Sequence, residues 1–501
     1  MTLKFHAHHH SSSRRHMLRG GAAAAISLAA APFMPLQART VADRTIPQPR
    51  PKGQLVSANA RVGSFGGALI GPKFLGLSFE KSSLVPRTLS LYNRDLLTAL
   101  RAIGPGIMRL GGAASDQLAW VPDGSGNVAR QISKGDIDDF APFIKEAGWE
   151  VIYGINLAQG SEEAAADEAA YVARRLGDSL VCFEIGNEPN LFRKNYPAPQ
   201  GAKDWTFDLY RAQWERIRQA ISRRVPHAMF SGPDATGGAV ESYALPFARS
   251  VDKSYMKFLS QHHYRLHADD APTIEALLVT PDPALTIGLG KRPAMLPALK
   301  AAADQLGVPL RFTESNSAVG GGRHGVSDSF ASALWSLDFM FTIAKGGGSG
   351  VHFHTGRSAA YTPLEFDRSK LVKIRPEYYG LLFFKMIGEG RLLHTQMDAG
   401  GANLSIYCVQ TQAGISTVLV NKDPQRSFEL TLKLPTIVAQ ARAIALTAPD
   451  LSAKTGVQIQ GESISVADGL ARREPEFSLQ TSGQSLSAYV PAGSALLIKT
   501  A

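Results

Sequence analysis

From Phe74 to about Met386 the chain repeats one unit, a short apolar run followed by a longer amphipathic stretch. The runs are "FLGLSFE" (74–80), "IMRLGG" (107–112), "EVIYGINL" (150–157), "LVCFEIGNE" (180–188), "AMFSGPD" (228–234), "KFLSQHHY" (257–264), "PLRFTESN" (309–316) and "GVHFHTG" (350–356). Helical patterns lie between them, such as "EEAAADEAAYVARRLG" (162–177) and "DLYRAQWERIRQAISRRV" (208–225), and "RPEYYGLLFFKMIG" (375–388) follows the eighth run. Strand and helix alternating eight times predict a parallel sheet closed into a (β/α)8 barrel. An open doubly wound sheet is the rival. It usually carries a glycine-rich phosphate loop after its first strand, and none is present here.

Beyond residue 390 the pattern changes to strands bounded by turns, "LSIYCVQT", "ISTVLVNK", "FELTLKL", "ARAIALTA" and "LSAYVPAGSALLIKT", with no long helical stretch between them. This predicts an antiparallel β-sandwich. The expected organisation is a barrel over 74–388 and a sandwich over 389–501. A linker and an N-terminal strand that joins the second sheet precede them over 43–73. The sandwich strands are apolar and lack clustered aromatics, which favours bracing the barrel over binding carbohydrate. Cys182 lies inside an apolar strand and Cys408 in a distant segment, so both are expected as buried free thiols. No CxxC or HxxxH spacing calls for a metal, and no cofactor is expected.

Residues 1–42 read as an export signal and its cleavage region. A basic front precedes an Ala-rich apolar run from Gly20 to Met34, and Ala38 supplies a small residue for cleavage. Arg14-Arg15, with Met17-Leu18 behind, resembles a twin-arginine address; an ordinary secretory leader is the alternative. His6 and His8 to His10 would leave with it. The expected location is periplasmic or extracellular, with no stable membrane anchor. The formal charge of +10 includes five Lys/Arg and no Asp/Glu in residues 1–42, so the mature chain carries about +5. That mild balance argues against nucleic acid as a partner.

In such a barrel the chemistry sits at the carboxyl ends of the strands. Strand four ends in Asn187-Glu188 and strand seven in "FTESN" with Glu314. By strand alternation Glu184, Gly186 and Glu188 share one face, and Glu314 faces them from nearly the opposite side of the mouth. A single glutamate at a strand end is readily a solvated or ion-paired residue. Two on opposed strands suit glycoside hydrolysis, one carboxylic acid protonating the leaving oxygen and one carboxylate attacking the anomeric carbon.

With "FEIGNEPNLF", "FLGLSFE", "IMRLGG", "GWEVIYGINL", "FSGPD", "RFTESNS", "GVSDSFASALW", "FHTGRSAAYTP" and "RPEYYGLLFF", the chain resembles glycoside hydrolase family 79 of clan A, the β-glucuronidases and heparanase-like enzymes. The resemblance runs from 74 to about 385 and extends more weakly beyond. It implies Glu188 as acid/base and Glu314 as nucleophile. Asn187 is then placed to bond the sugar 2-hydroxyl, and Arg109 and Tyr264 to hold Glu314 ionised. It further implies Tyr361 with backbone amides at the uronate, His354 at its strand end and Glu80 on sugar hydroxyls.

Arg357 departs from the family pattern, as an added uronate partner or a surface residue. The connection after strand two is shorter than in the bacterial members of the family, so Asp116 or Asp123 would have to touch the sugar in place of the missing residues. After "GPD" no aromatic follows to stack on the sugar. A secreted retaining exo-β-glucuronidase acting on glucuronate or its O-methyl form is the leading expectation. An endo-acting heparanase-like hydrolase of acidic polysaccharide, a neutral-sugar β-glycosidase of the same clan and a non-catalytic glycan-binding protein are the alternatives. Oligomeric state is not legible.

Overall fold

The computed structural model describes residues 53–192, 205–267, 271–280, 295–356, 359–465 and 476–501. The expected leader, most of the linker and Arg357 lie outside the described residues.

Eight parallel strands close into a barrel in chain order. They are Leu75–Glu80, Ile107–Gly111, Glu150–Ile155, Leu180–Ile185, Phe230–Ala235, Met256–His267, Leu310–Val319 and Val351–Thr355, the last pairing with the first. Most of their residues are buried on both faces, as parallel strands covered by helices require. The helices follow from local sequence. In Glu162–Leu176, Ser161 caps the first turn through Ala164, Glu162 and Glu163 sit at the amino end and Arg174 and Arg175 at the carboxyl end. Its buried stripe, Ala165, Ala169, Val172 and Leu176, faces the barrel at helical spacing. Lys134–Ala147 begins with a Ser133–Asp136 capping box and stops at left-handed Gly148.

The helix Phe330–Lys345 is buried on nearly every side because it packs against both the barrel and the second sheet. Its one carboxylate, Asp338, is paired with Lys422 and accepts from Tyr407 Oη at 2.9 Å, both residues coming from the sheet. That sheet has eleven strands and is mostly antiparallel. It curls around its own apolar cluster, which includes Phe428, Leu430, Leu419, Val490 and Ile498. Its strands form one continuous hydrogen-bonded path that curls over on itself, which fits the expected β-sandwich. Gln54–Ile70 pairs antiparallel with Gly390–Asp398 and parallel with Arg426–Lys433, and so joins the two halves. The strand Gly390–Asp398 is absent from the sequence expectation, since "GRLLHTQMD" is half polar and only its pairing makes it a strand. Both cysteines are buried and free. Among the described residues no helix is long and apolar enough to cross a membrane.

Candidate active site

Arg109, fully buried in the second barrel strand, is the hub of the barrel's carboxyl end. Its Nε donates to Glu184 Oε2 at 2.7 Å, while Nη2 donates to the other Glu184 oxygen and to Asn187 Oδ1 at 2.8 Å. Nη1 donates to Glu314 Oε2 at 2.6 Å and to Ser78 Oγ at 3.1 Å. A guanidinium with its fork filled this way is held in one orientation, and so are the groups it touches. Burial opposes the charge on Glu184, but both its oxygens accept from the guanidinium, the geometry of a carboxylate. Gly111 makes room for the head group, since a Cβ there would lie 2.4 Å from Arg109 Cζ.

Glu314 is buried, which alone would raise its pKa. The neighbouring His354, His262 and Arg109 and the hydrogen bond from Tyr264 outweigh this and hold it well below the carboxylate range. Tyr264 Oη donates at 2.8 Å to the second Glu314 oxygen. Burial and the adjacent Glu314 charge push that phenol well above its ordinary value, so it keeps its proton. Burial likewise pulls His354 down, but Glu314 and Glu80 overcome it and its pKa is raised. His354 Nδ1 lies 3.0 Å from Ser78 Oγ and 3.5 Å from Glu314 Oε2, and Nε2 lies 3.4 Å from Glu80.

The fourth strand ends at Ile185, earlier than the alternation implies. Gly186 and Glu188 both take positive φ, 81° and 47°, so the last residues form a turn and Glu188 reaches the mouth by that turn rather than by strand register. A side chain on Gly186 would meet Leu157 at 2.6 Å. Glu188 N bonds Asp234 O at 2.9 Å, tying strand four to strand five. Glu188 Oε1 lies 3.0 Å from His262 Nδ1, whose other nitrogen faces Asp234 at 3.8 Å. One atom each from Glu188, His262 and Glu314 lies within 4.8 Å of the others.

The sequence reading missed His262 and Asp234. His262 sits two residues before Tyr264, and alternation puts both on one face, which is the signal that was available. His263 between them points outward and stacks on Phe339 at 5.5 Å. Asp234 carried no signal. Its role depends on a left-handed residue (φ 53°) at the end of strand five.

Asp116 and Asp123 both have partners of their own. Asp116 is fully buried and accepts from the backbone N–H groups of Leu157 and Asn187, each at 2.8 Å, and of Ala158 at 3.3 Å. It ties strands three and four behind Asn187. Burial pushes its pKa up to about 6 against those hydrogen bonds. Asp123 is exposed and pairs with Lys134.

Glu80 accepts from Ala114 N at 2.9 Å, and left-handed Gly112 leaves room for its carboxyl group. Tyr361 packs against Tyr264 and His354, with ring centroids 5.9 and 6.0 Å apart. Burial, then the Glu314 charge, raises its pKa, so it too remains a phenol. Glu80, His354 and Tyr361 wall a pocket of about 440 Å³ completed by Gly320, Gly321 and Gly322. All three glycines take positive φ, and Ala360 N bonds Gly321 O at 2.6 Å. A larger cleft of about 1070 Å³, between Phe74, Pro105, Lys385, Arg442 and Lys499, opens at the other end of the barrel and contains neither glutamate.

The arrangement thus has a low-pKa carboxylate, a second carboxyl on a histidine within 4.8 Å, and a pocket beside them. Two fungal β-glucuronidases match part of the chain. The one from Neurospora crassa is 26% identical over 251 residues, 46% of this chain and 44% of that protein. The one from Aspergillus niger is 24% identical over 258 residues, 48% and 47%. Chicken (Gallus gallus) heparanase is 23% identical over 415 residues, 68% of this chain and 74% of that protein. The chain is related to the β-glucuronidases and heparanases of glycoside hydrolase family 79.

The match to these family-79 relatives spans somewhat under half the length of each fungal β-glucuronidase. No family model matches the chain. Among solved structures, a 4-O-α-L-rhamnosyl-β-D-glucuronidase from Fusarium oxysporum superposes with a TM-score of 0.75 at 18% identity, covering 88% of this chain and all of that one. An arabinofuranosidase from Xanthomonas axonopodis gives 0.64 at 17%, covering 89% and all of that chain. These show the fold.

Glu188, His262 and Glu314 are also the kind of cluster that ligates cations. The site fits one poorly, because both Glu314 oxygens already accept, one from a guanidinium that would repel a divalent ion.

Proposed function

We propose that this chain is a retaining exo-β-glucuronidase, exported from the cell, that removes terminal β-linked glucuronate or its O-methyl form. The observation that carries the reading is the spacing of the two carboxyl groups. Oxygens of Glu188 and Glu314 lie within 4.8 Å, near the ~5–5.5 Å of retaining enzymes and short of the ~6.5–9.5 Å that leaves room for an inverting water.

Glu314 is the nucleophile. It is held as an anion by Arg109, Tyr264 and His354, and it attacks the anomeric carbon as the glycosidic bond breaks. Glu188 gives its proton to the departing oxygen, and His262 orients it. In the second half Glu188 takes a proton from water, which displaces Glu314 from the glycosyl-enzyme, and two inversions return the original configuration. Asn187 Oδ1 is occupied by Arg109, so its amide N–H₂ is the group left for the sugar 2-hydroxyl. Glu80 accepts from sugar hydroxyls. The uronate lies against Tyr361 and the glycines at 320–322, whose lack of side chains lets it approach the backbone. The names of the relatives support this choice of sugar.

The test is hydrolysis of p-nitrophenyl β-glucuronide beside the β-glucoside, β-xyloside and β-galactoside. The glucuronide is expected to lead, and Glu188→Gln and Glu314→Gln each to lose at least about 10³-fold in kcat/KM. Equal rates on the glucoside would remove the uronate assignment. Full activity in either variant would remove the assigned roles.

A further inference from the structure

The pocket walled by Gly320, Gly321 and Gly322 is held in shape from outside the barrel. The segment after these glycines folds back on Asp328, a buried carboxylate. Asp328 Oδ1 accepts from Gly325 N at 2.5 Å, and Oδ2 meets His324 Nδ1 at 3.0 Å and Lys454 Nζ at 2.9 Å. Ser327 closes the loop, accepting from Arg323 N at 3.0 Å through its hydroxyl while its own N–H bonds Arg323 O at 2.7 Å. Gly322 packs against this turn so closely that a Cβ would stand 2.9 Å from Ser327 Oγ and 2.8 Å from Tyr361 N. The glycine wall is therefore fixed by the turn behind it, and the turn by Asp328.

Lys454 belongs to the eleven-stranded sheet, in the loop between Ala441–Thr447 and Gln458–Ile459. The same loop caps the helix that follows Asp328. Ser329 makes no side-chain cap; instead Ala453 O accepts from Phe330 N at 2.8 Å and Leu451 O from Ala331 N at 2.9 Å. Carbonyls of the second domain thus satisfy the first amides of a barrel helix, a task usually done by the helix's own N-cap. The two contacts together seat the whole 320–331 segment on the sheet.

We propose that the loop 448–457 of the sheet is part of the substrate site at one remove, with Lys454 and Asp328 positioning the glycine wall that receives the non-reducing sugar. This rests on the reading that the pocket beside Glu80, His354 and Tyr361 holds that sugar. The pair touches neither glutamate, so its loss weakens sugar binding and leaves bond cleavage in place. Lys454 is half-exposed, and its removal costs less than that of Asp328, which anchors Gly325 and His324 as well.

The experiment measures kcat and KM for Lys454→Met, Lys454→Arg and Asp328→Asn on whichever aryl glycoside the wild-type protein hydrolyses best, with thermal melting of each. The choice of substrate separates the two ideas: a preference for another sugar defeats the uronate assignment, and the same series still tests the loop. For Lys454→Met, KM is expected to rise about two- to fivefold with kcat within about twofold. Asp328→Asn should raise KM about tenfold or more, and Lys454→Arg should restore the wild-type value. An unchanged KM in Lys454→Met, or a fall in kcat at constant KM, overturns the proposal. So does a lower melting temperature with unchanged kinetics, which would make the contact purely structural.

Discussion

Arg109 and Arg311 are both buried in barrel strands, one toward each end, and they have opposite surroundings. Arg109 meets two carboxylates and Asn187, and despite burial the charges of Glu184 and Glu314 raise its pKa well above the ordinary value. Arg311, 2% exposed, meets no carboxylate at hydrogen-bonding distance among the described residues. Its Nε donates to His352 Nε2 at 2.6 Å, and its terminal nitrogens donate to the carbonyls of Lys73 at 2.7 Å and Ser349 at 3.2 Å. Burial pushes it down to about 9. One guanidinium compensates charge where charge has work to do. The other ties together loose carbonyls where the first and eighth strands begin. The same residue, equally buried, gives a cation paired with carboxylates at one end and a cation solvated by carbonyls and a histidine at the other.

Replacing each arginine should pull the two ends apart experimentally. Arg109→Met leaves Glu184 buried without its partner and Glu314 without its closest cation. We expect a loss of about 3–5 kcal/mol in stability and about 10²–10³-fold in kcat, with the acidic limb of the pH profile moving upward as Glu314 becomes harder to ionise. An unmoved acidic limb would mean that Arg109 does not control that ionisation. Arg311→Met should cost about 1–3 kcal/mol of stability, read by urea unfolding, with kcat within about threefold. A large loss of kcat would show that the two ends are coupled.

The smallest effect is expected at His354, which sets the charge balance only at the carboxyl end. Its folded-state pKa is raised, so its stabilising contribution is complete below about 6.5 and is lost as pH climbs through the higher folded value. The melting-temperature gap between wild type and His354→Gln should be widest in mild acid and narrow toward alkaline pH. A gap that widens with pH would place His354 as a neutral ring.

The barrel was readable because a buried parallel strand and an amphipathic helix have different hydrophobic periods, and eight alternations admit few closures. Glu314 was readable as a polar group ending an apolar run, and Tyr264 lay on the inward face of the neighbouring strand. Glu188 was readable for its position but not for its route. The left-handed turn at Gly186 and Glu188 breaks the alternation from which its direction was inferred. Asp116 was considered only as a stand-in for a lost sugar contact, because an aspartate in a loop gives no sign of which backbone amides will surround it. The strand Gly390–Asp398 was overlooked for a similar reason, since its half-polar pattern becomes a strand only beside Gln54–Ile70.

Local chemistry by itself therefore determined the barrel and placed Glu188 and Glu314 at the carboxyl ends of its strands, because each depends on neighbours a few residues apart. The tertiary structure alone decided that Arg109 would touch Glu184, Asn187 and Glu314 together, that His262 and Asp234 would stand behind Glu188, and that the second sheet would reach Asp328. Most of those contacts join residues 50 or more positions apart. Their energies depend on burial and on charges brought close by folding, and neither is a property of any short stretch of chain.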